Sequence, residues 1–117
     1  MNHRIETHGT ATVFIASGRL DFSAAAGFQS QLEALIGAAD GAPALIVDCA
    51  ELEYVSSAGL RAFLLAARNC QRGGRYFAAC ALQHAVREVF EVSGFGRLIP
   101  LHADRTTALA AVAAPPA

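Results

Sequence analysis

The chain has 117 residues, of which 54% are hydrophobic and 16% charged, and a formal net charge of -1. That balance suits one ordinary domain burying about two thirds of its unfolded surface, and it excludes a disordered chain. Without a basic patch, it also lacks the electrostatic footprint of a nucleic-acid binder.

Residues 4–8 read as an edge strand that bends at Gly9 and Thr10. ATVFIAS, 11–17, is rich in Val, Ile and Phe and predicts a strand. GRLDFS follows, with Asp21 or Ser23 as candidate cap of a helix over 22–36. Ala25, Phe28, Leu32, Leu35 and Ile36 give that helix one apolar stripe, and ADGAP at 39–43 reads as a turn. ALIVDC, 44–49, is apolar on both faces and predicts a central, covered strand, with ELEY as a connection after it.

From Ala58 the period turns helical. Leu60, Phe63, Leu64, Ala67 and Cys70 are expected inside, with Arg61, Arg68, Asn69 and Arg72 outside. QRGG at 71–74 ends this helix, and RYFAACA at 75–81 predicts another strand. Ala85, Val86, Val89 and Phe90 form the inward stripe of a short helix broken by SGFG at 93–96. RLIPL at 97–101 predicts a last edge strand, because Pro100 suits only an edge. Asp104 or Thr106 caps a final helix to about Val112, and the tail AAPPA is expected to fray. The order predicts an α/β fold: a mixed sheet of about four to five strands with helices mainly on one face, as one domain over 1–117 with its core at about 5–112.

Much chemistry is missing from these motifs. GxGxxG, GxxxxGKS/T and GxSxG do not occur, which argues against a dinucleotide loop, a P-loop and a nucleophile elbow. His3, His8, His84 and His102 are scattered through ends and loops and read as solvated. Carboxylates are few and do not pair in a repeated pattern, though Asp21, Asp48, Glu51 and Glu53 could meet in space. Cys49, Cys70 and Cys80 are odd in number and widely spaced, so they read as free core thiols in a reducing compartment, with no metal site. MNHRIETHGT has no apolar signal-peptide core, and no run reaches 18 apolar residues. The expectation is a cytoplasmic protein without direct membrane insertion, without cofactor, and not an enzyme.

YVSSAGLRAFL, 54–64, places two hydroxyls at the junction of a strand and a helix. A serine there can cap the helix by accepting a first-turn N–H. A phosphate there would meet unpaired N–H groups and the positive end of the helix dipole, adding about -1.5 to -2 charges. The residues alone leave both readings open for Ser57.

GRLD at 18–21, LIVDCAELEYVSSAGLRAFL at 45–64 and CALQHAVREVFEVSGFGRLIPLH at 80–102 occur in one order along the chain. Together they resemble a stand-alone STAS domain of the anti-sigma factor antagonist, or anti-anti-sigma, group, over about Ile5 to Val112. The family's D-S-S-G or D-S-x-G loop lies on Ser56, Ser57, Ala58 and Gly59, with Ser56 in the place of the Asp. The resemblance implies that Ser57, with Ser56 as the alternative, is phosphorylated by the partner. It implies that the unmodified domain binds an anti-sigma factor with serine kinase activity and releases a sigma factor. Phosphorylation would end that binding, and a PP2C-type phosphatase would restore it. It also implies docking through Asp21, Ser23, Gly27, Tyr54, Ser56, Ser57, Ala58, Gly59, Arg61 and Leu65. Arg61 and Leu65 are four apart and read as an outward patch. The alternative function for the same fold is a non-phosphorylated adaptor subunit of a membrane lipid-transport ABC complex or other signalling assembly.

Overall fold

In the computed structural model, which describes residues 1–38 and 43–113, the elements run in chain order as β1 (Asn2–His8), β2 (Ala11–Leu20), α1 (Phe22–Gly37), β3 (Ala44–Val55), α2 (Ser57–Arg72), β4 (Tyr76–Cys80), α3 (His84–Val92), a short 3-10 turn (Phe95–Arg97), β5 (Leu101–His102) and α4 (Arg105–Ala113). The five strands lie side by side in sequence order. β1 pairs antiparallel with β2, and every later pair is parallel. A mixed sheet of this kind follows from one hairpin succeeded by helical crossovers.

Alternation along the inner strands sorts their side chains onto two faces. Phe14, Ala16, Leu45, Val47, Phe77 and Ala79 point to one face, where they pack with Phe28 and Leu32 of α1, Leu60 and Phe63 of α2, and Val86 and Phe90 of α3. Val13, Ile15, Ala44, Ile46 and Cys80 point to the other, where Ala108 and Leu109 of α4 cover them. Three helices thus share one face and one occupies the other. Burial on both sides is why ALIVDC reads as an unbroken apolar run. Phe63 seats α2 at the centre of an aromatic cluster, 5.0 Å from Phe28 and 5.1 Å from Phe90 between ring centroids.

On the second face α4 is also fixed by charge. Arg105 donates to Asp48 at 2.9 Å and to Glu6 at 3.0 Å. Asp48 is 5% exposed and also accepts the Ala50 N–H. A buried carboxylate is tolerable only with such partners. Asp104, one of the two candidate caps, accepts the Thr107 N–H at 2.7 Å.

Several boundaries differ from those predicted. β1 begins at Asn2 rather than residue 4, and β2 runs on through GRL to Leu20. ELEY is not a connection but the end of β3, which stays paired to β2 across two register shifts; Gly18, at φ 89°, sits at one of them. Extra residues at such bulges break strict alternation, which hides the strand from a period-2 reading. The last strand shrinks to Leu101–His102: Arg97 belongs to the 3-10 turn that follows the left-handed Gly94, and Pro100 has no N–H to pair. On α2 the fully buried set is Gly59, Leu60, Ala62, Phe63, Ala66 and Cys70, while Leu64 and Ala67 are half-buried. On α3 only Val86 and Phe90 are buried, whereas Ala85 and Val89 are exposed, so this nine-residue helix presents a narrower stripe to the core than its spacing predicted. The expected turn at 39–43 lies outside the described residues except for Pro43, as does the expected frayed tail beyond Ala113.

Candidate functional site

β2 and β3 end side by side, with Leu20 opposite Val55, and a helix starts immediately after each cap. Asp21 caps α1: its Oδ1 accepts the Ala24 N–H at 2.9 Å and the Ser23 hydroxyl at 2.9 Å. The Ser23 hydroxyl first, and the Ala24 amide second, hold the Asp21 carboxyl below its ordinary range. Ser56 caps α2, its Oγ accepting the Gly59 N–H at 3.1 Å. The Ser56 N–H in turn donates to the Leu20 carbonyl at 2.8 Å, tying the second cap to the end of β2. Of the candidate caps, Asp21 rather than Ser23 therefore serves α1. The carboxyl ends of parallel strands are the usual place for a site in α/β sheets.

Gly59 brings the first turn of α2 unusually close to that junction. A Cβ built on it would stand 2.6 Å from Leu20 Cγ and 3.1 Å from the Leu20 carbonyl oxygen. Gly59 is buried, so it positions the loop from beneath. Ser57, two residues earlier, is exposed, and Ser56 and Ala58 are half-buried. With the Gly59 amide taken by the cap, the amides of Ser57 and Ala58 have no acceptor within the helix. Both lie at the positive end of the dipole of a 16-residue helix.

The other expected residues lie around this end of the sheet. Ser23 and Gly27 are exposed on α1 and line a shallow groove with Met1, His3 and Gln31. Tyr54 is 39% exposed, with the Arg19 guanidinium 4.3 Å over its ring. Arg61 is exposed one turn beyond Ser57, but Leu65 is half-buried, not outward. The buried face of α2 takes in Ala62 and Ala66, and Leu65 sits at its margin.

Three exposed apolar residues also belong to this surface: Phe22 and Val92, which the motifs did not single out, and Val89, which was expected inside. Phe22, the first residue of α1, is 83% exposed. Val89 and Val92 of α3 are also exposed, and with Leu60 and Ala85 they form the apolar part of a groove that runs up to Ser57 and is also lined by Glu88 and Ser93. The spacing of Ala85, Val89 and Val92 is itself helical and could have marked a second stripe beside Val86 and Phe90.

Among the described residues, the carboxylates and cysteines form no catalytic cluster. Asp48 is bound to Arg105, Glu51 pairs with Arg4 at 3.3 Å, Asp21 caps α1 and Glu53 is exposed on β3, so the four carboxylates do not converge. All three cysteines are buried, and burial raises their thiols: Cys70 to about 11, Cys80 to about 12, and Cys49 well above its ordinary value. Such thiols stay protonated and are poor nucleophiles. Among the described residues, no helix is long and apolar enough to cross a membrane.

The STAS domain family matches residues 2–108. BtrV of Bordetella bronchiseptica, a candidate anti-sigma factor antagonist, is 41% identical over 83 residues, which cover 69% of this chain and 72% of that protein. Among solved structures, an anti-sigma factor antagonist from Mycobacterium paratuberculosis superposes with a TM-score of 0.87 at 26% identity, covering 97% of this chain and 94% of the other. The anti-sigma factor antagonist SpoIIAA of Bacillus shares the fold in its unphosphorylated form at TM-score 0.81 and 19% identity, covering 99% of this chain and all of the other. Its phosphorylated form gives 0.73 at 20% identity, covering 95% and 99%.

Proposed function

The chain belongs to the STAS domain family, in its anti-sigma factor antagonist group, and on that premise we propose that it binds an anti-sigma factor with serine kinase activity, frees the sigma factor, and is switched off by phosphorylation of Ser57. The observation that carries this reading is the division of labour between the two serines. Ser56 is occupied as the helix cap, whereas the Ser57 hydroxyl is exposed on the first turn beside two amides without helical acceptors.

A phosphate on Ser57 fits the fold that must carry it, since it adds negative charge at the positive end of α2. The same charge would stand at the mouth of the largely apolar groove formed by Leu60, Ala85, Val89 and Val92, which Glu88 also lines. An apolar partner segment seated there would have to desolvate it, which disfavours the complex. Modification would therefore cost the free protein little and the complex much, as a binding switch requires. A PP2C-type phosphatase would return the hydroxyl. The chain acts in this reading as a cytoplasmic binding protein, and the kinase supplies the ATP chemistry.

The docking surface comprises Ser57 and Ala58 at its centre, with Asp21, Ser23, Gly27, Tyr54, Ser56, Arg61 and Leu65 around them and Phe22 as an exposed aromatic anchor. Gly59 contributes from below by setting the height of the loop. Calorimetric titration of the cognate anti-sigma factor with wild type, Ser57→Ala and Ser57→Asp tests this directly. Binding should survive Ser57→Ala and fall sharply with Ser57→Asp. Equal affinity for all three proteins would remove Ser57 from the switch.

A further inference from the structure

β1 is an edge of the sheet, with β2 on one side and no strand on the other among the described residues. All its residues but the half-buried Glu6 are exposed. The two-residue turn at Gly9 and Thr10 closes the hairpin with His8 opposite Ala11, which makes that flanking pair a mutually hydrogen-bonded one. By alternation, the main-chain groups of His8, Glu6, Arg4 and Asn2 face β2, and those of His3, Ile5 and Thr7 face outward. Charges on an edge normally discourage a second strand. Here they are arranged so that one partner suits them.

We propose that β1 pairs antiparallel with β1 of a second copy of this chain, about a two-fold axis at Ile5. This register sets Ile5 against Ile5, His3 against Thr7, Arg4 against Glu6, and Asn2 against His8. It joins the outward groups of His3, Ile5 and Thr7 to those of the copy, giving about six main-chain hydrogen bonds. Arg4 and Glu6 lie on the face covered by α4, where Arg4 already holds Glu51 at 3.3 Å and Glu6 holds Arg105 at 3.0 Å. Pairing links these into a row of alternating sign: Glu51, Arg4, then Glu6 and Arg105 of the second copy. On the opposite face Ile5, 45% exposed, covers its own copy and leaves water.

The charges also select the register. The neighbouring pairings that still join outward groups place Arg4 against Arg4 or Glu6 against Glu6, and like charges directly opposite are unfavourable. An odd slip sets outward groups against side-turned ones and forms no ladder. With a single strand pair as its contact, the dimer is weak and forms as concentration rises. It is independent of the reading of Ser57.

Sedimentation velocity from about 1 µM to about 1 mM should show reversible dimerisation in this weak-interface range. Ile5→Pro removes an outward N–H without touching the ladder to β2, so it should weaken the dimer at least about tenfold while the circular dichroism spectrum is kept. Arg4→Glu, which faces Glu6 of the copy, should weaken it too. Amide exchange of the wild type gives a readout that needs no variant. The amides of His3, Ile5 and Thr7 should gain protection with concentration, while those of Arg4 and Glu6 stay unchanged. A protein monomeric throughout, or a dimer whose His3, Ile5 and Thr7 amides exchange freely, would overturn the proposal.

Discussion

α1 and α2 start one residue beyond neighbouring strand ends, behind Asp21 and Ser56, and in each the cap side chain accepts the N–H three residues on, Ala24 in one and Gly59 in the other. The backbone solution is the same, and the chemistry laid on it differs at each step. Asp21 brings a carboxylate, whereas Ser56 brings a neutral hydroxyl. The next residue is an exposed phenylalanine on α1 and an exposed serine on α2. At the capped amide, Ala24 has room for its methyl group, whereas Gly59 lies against Leu20 where none fits. The comparison separates what the fold needs from what is free for function: caps and close packing are used up in building the junction, and Phe22 and Ser57 are not.

Four experiments sharpen that contrast. The largest effect on stability should come from Gly59→Ala, which forces a methyl group into Leu20 and should cost about 2 kcal/mol in urea denaturation. Ala24→Gly, its counterpart on α1, should cost only the helix-propensity difference, at most about 1 kcal/mol. If Gly59→Ala were as stable as wild type, the close approach at α2 would not be a constraint.

For partner affinity, Ser57→Asp should lose more than about tenfold, or ~1.4 kcal/mol, whereas Ser57→Ala should stay within about twofold. Phe22→Ala should also weaken binding without changing the thermal midpoint, since its ring is open to solvent in the free protein. An unaffected affinity in Phe22→Ala would confine docking to the α2 side.

Ser56→Ala should lose about 1 kcal/mol of stability through the missing cap, and Ser56→Asp should restore it. The same pair of variants asks whether the family's usual Asp at this place matters beyond capping. If Ser56→Asp changes the rate of phosphorylation while stability is unaltered, the carboxylate acts on its neighbour rather than on the helix.

The smallest effect distinguishes the caps by pH. Because the Asp21 carboxyl is held below its ordinary value, its contribution is present above that value and fades as pH falls through the lowered one, below about pH 4. Ser56 does not titrate in this range. In an NMR titration from about pH 6 to about pH 3, the Ala24 amide should shift with Asp21 while the Gly59 amide holds still.

The sequence announced most of the frame and part of the site. Phe28, Phe63 and Phe90 stand out through helical spacing, and ALIVDC through its unbroken apolar run, because those signals come from burial. β2 and β3 were longer than their patterns because bulges near Ser17 and Gly18 let pairing continue where alternation fails. The two serines were legible as a pair, and the hydrogen bond from Gly59 identifies Ser56 as the helix cap. Val89 was expected inside, and Phe22 was read only as the first turn of a helix. The placement of Phe22 holds, since α1 starts there, but its exposure was not legible, and Val89 is exposed beside the buried Val86 and Phe90.

The central claim is that Ser57 is the phosphorylated hydroxyl and Ser56 the structural one. Incubating the protein with its cognate anti-sigma kinase and ATP, then locating the phosphate by fragmentation mass spectrometry, tests it most directly. A single phosphate is expected on Ser57, absent in Ser57→Ala and retained in Ser56→Ala. A phosphate on Ser56, or no transfer in a pair that binds, would contradict it.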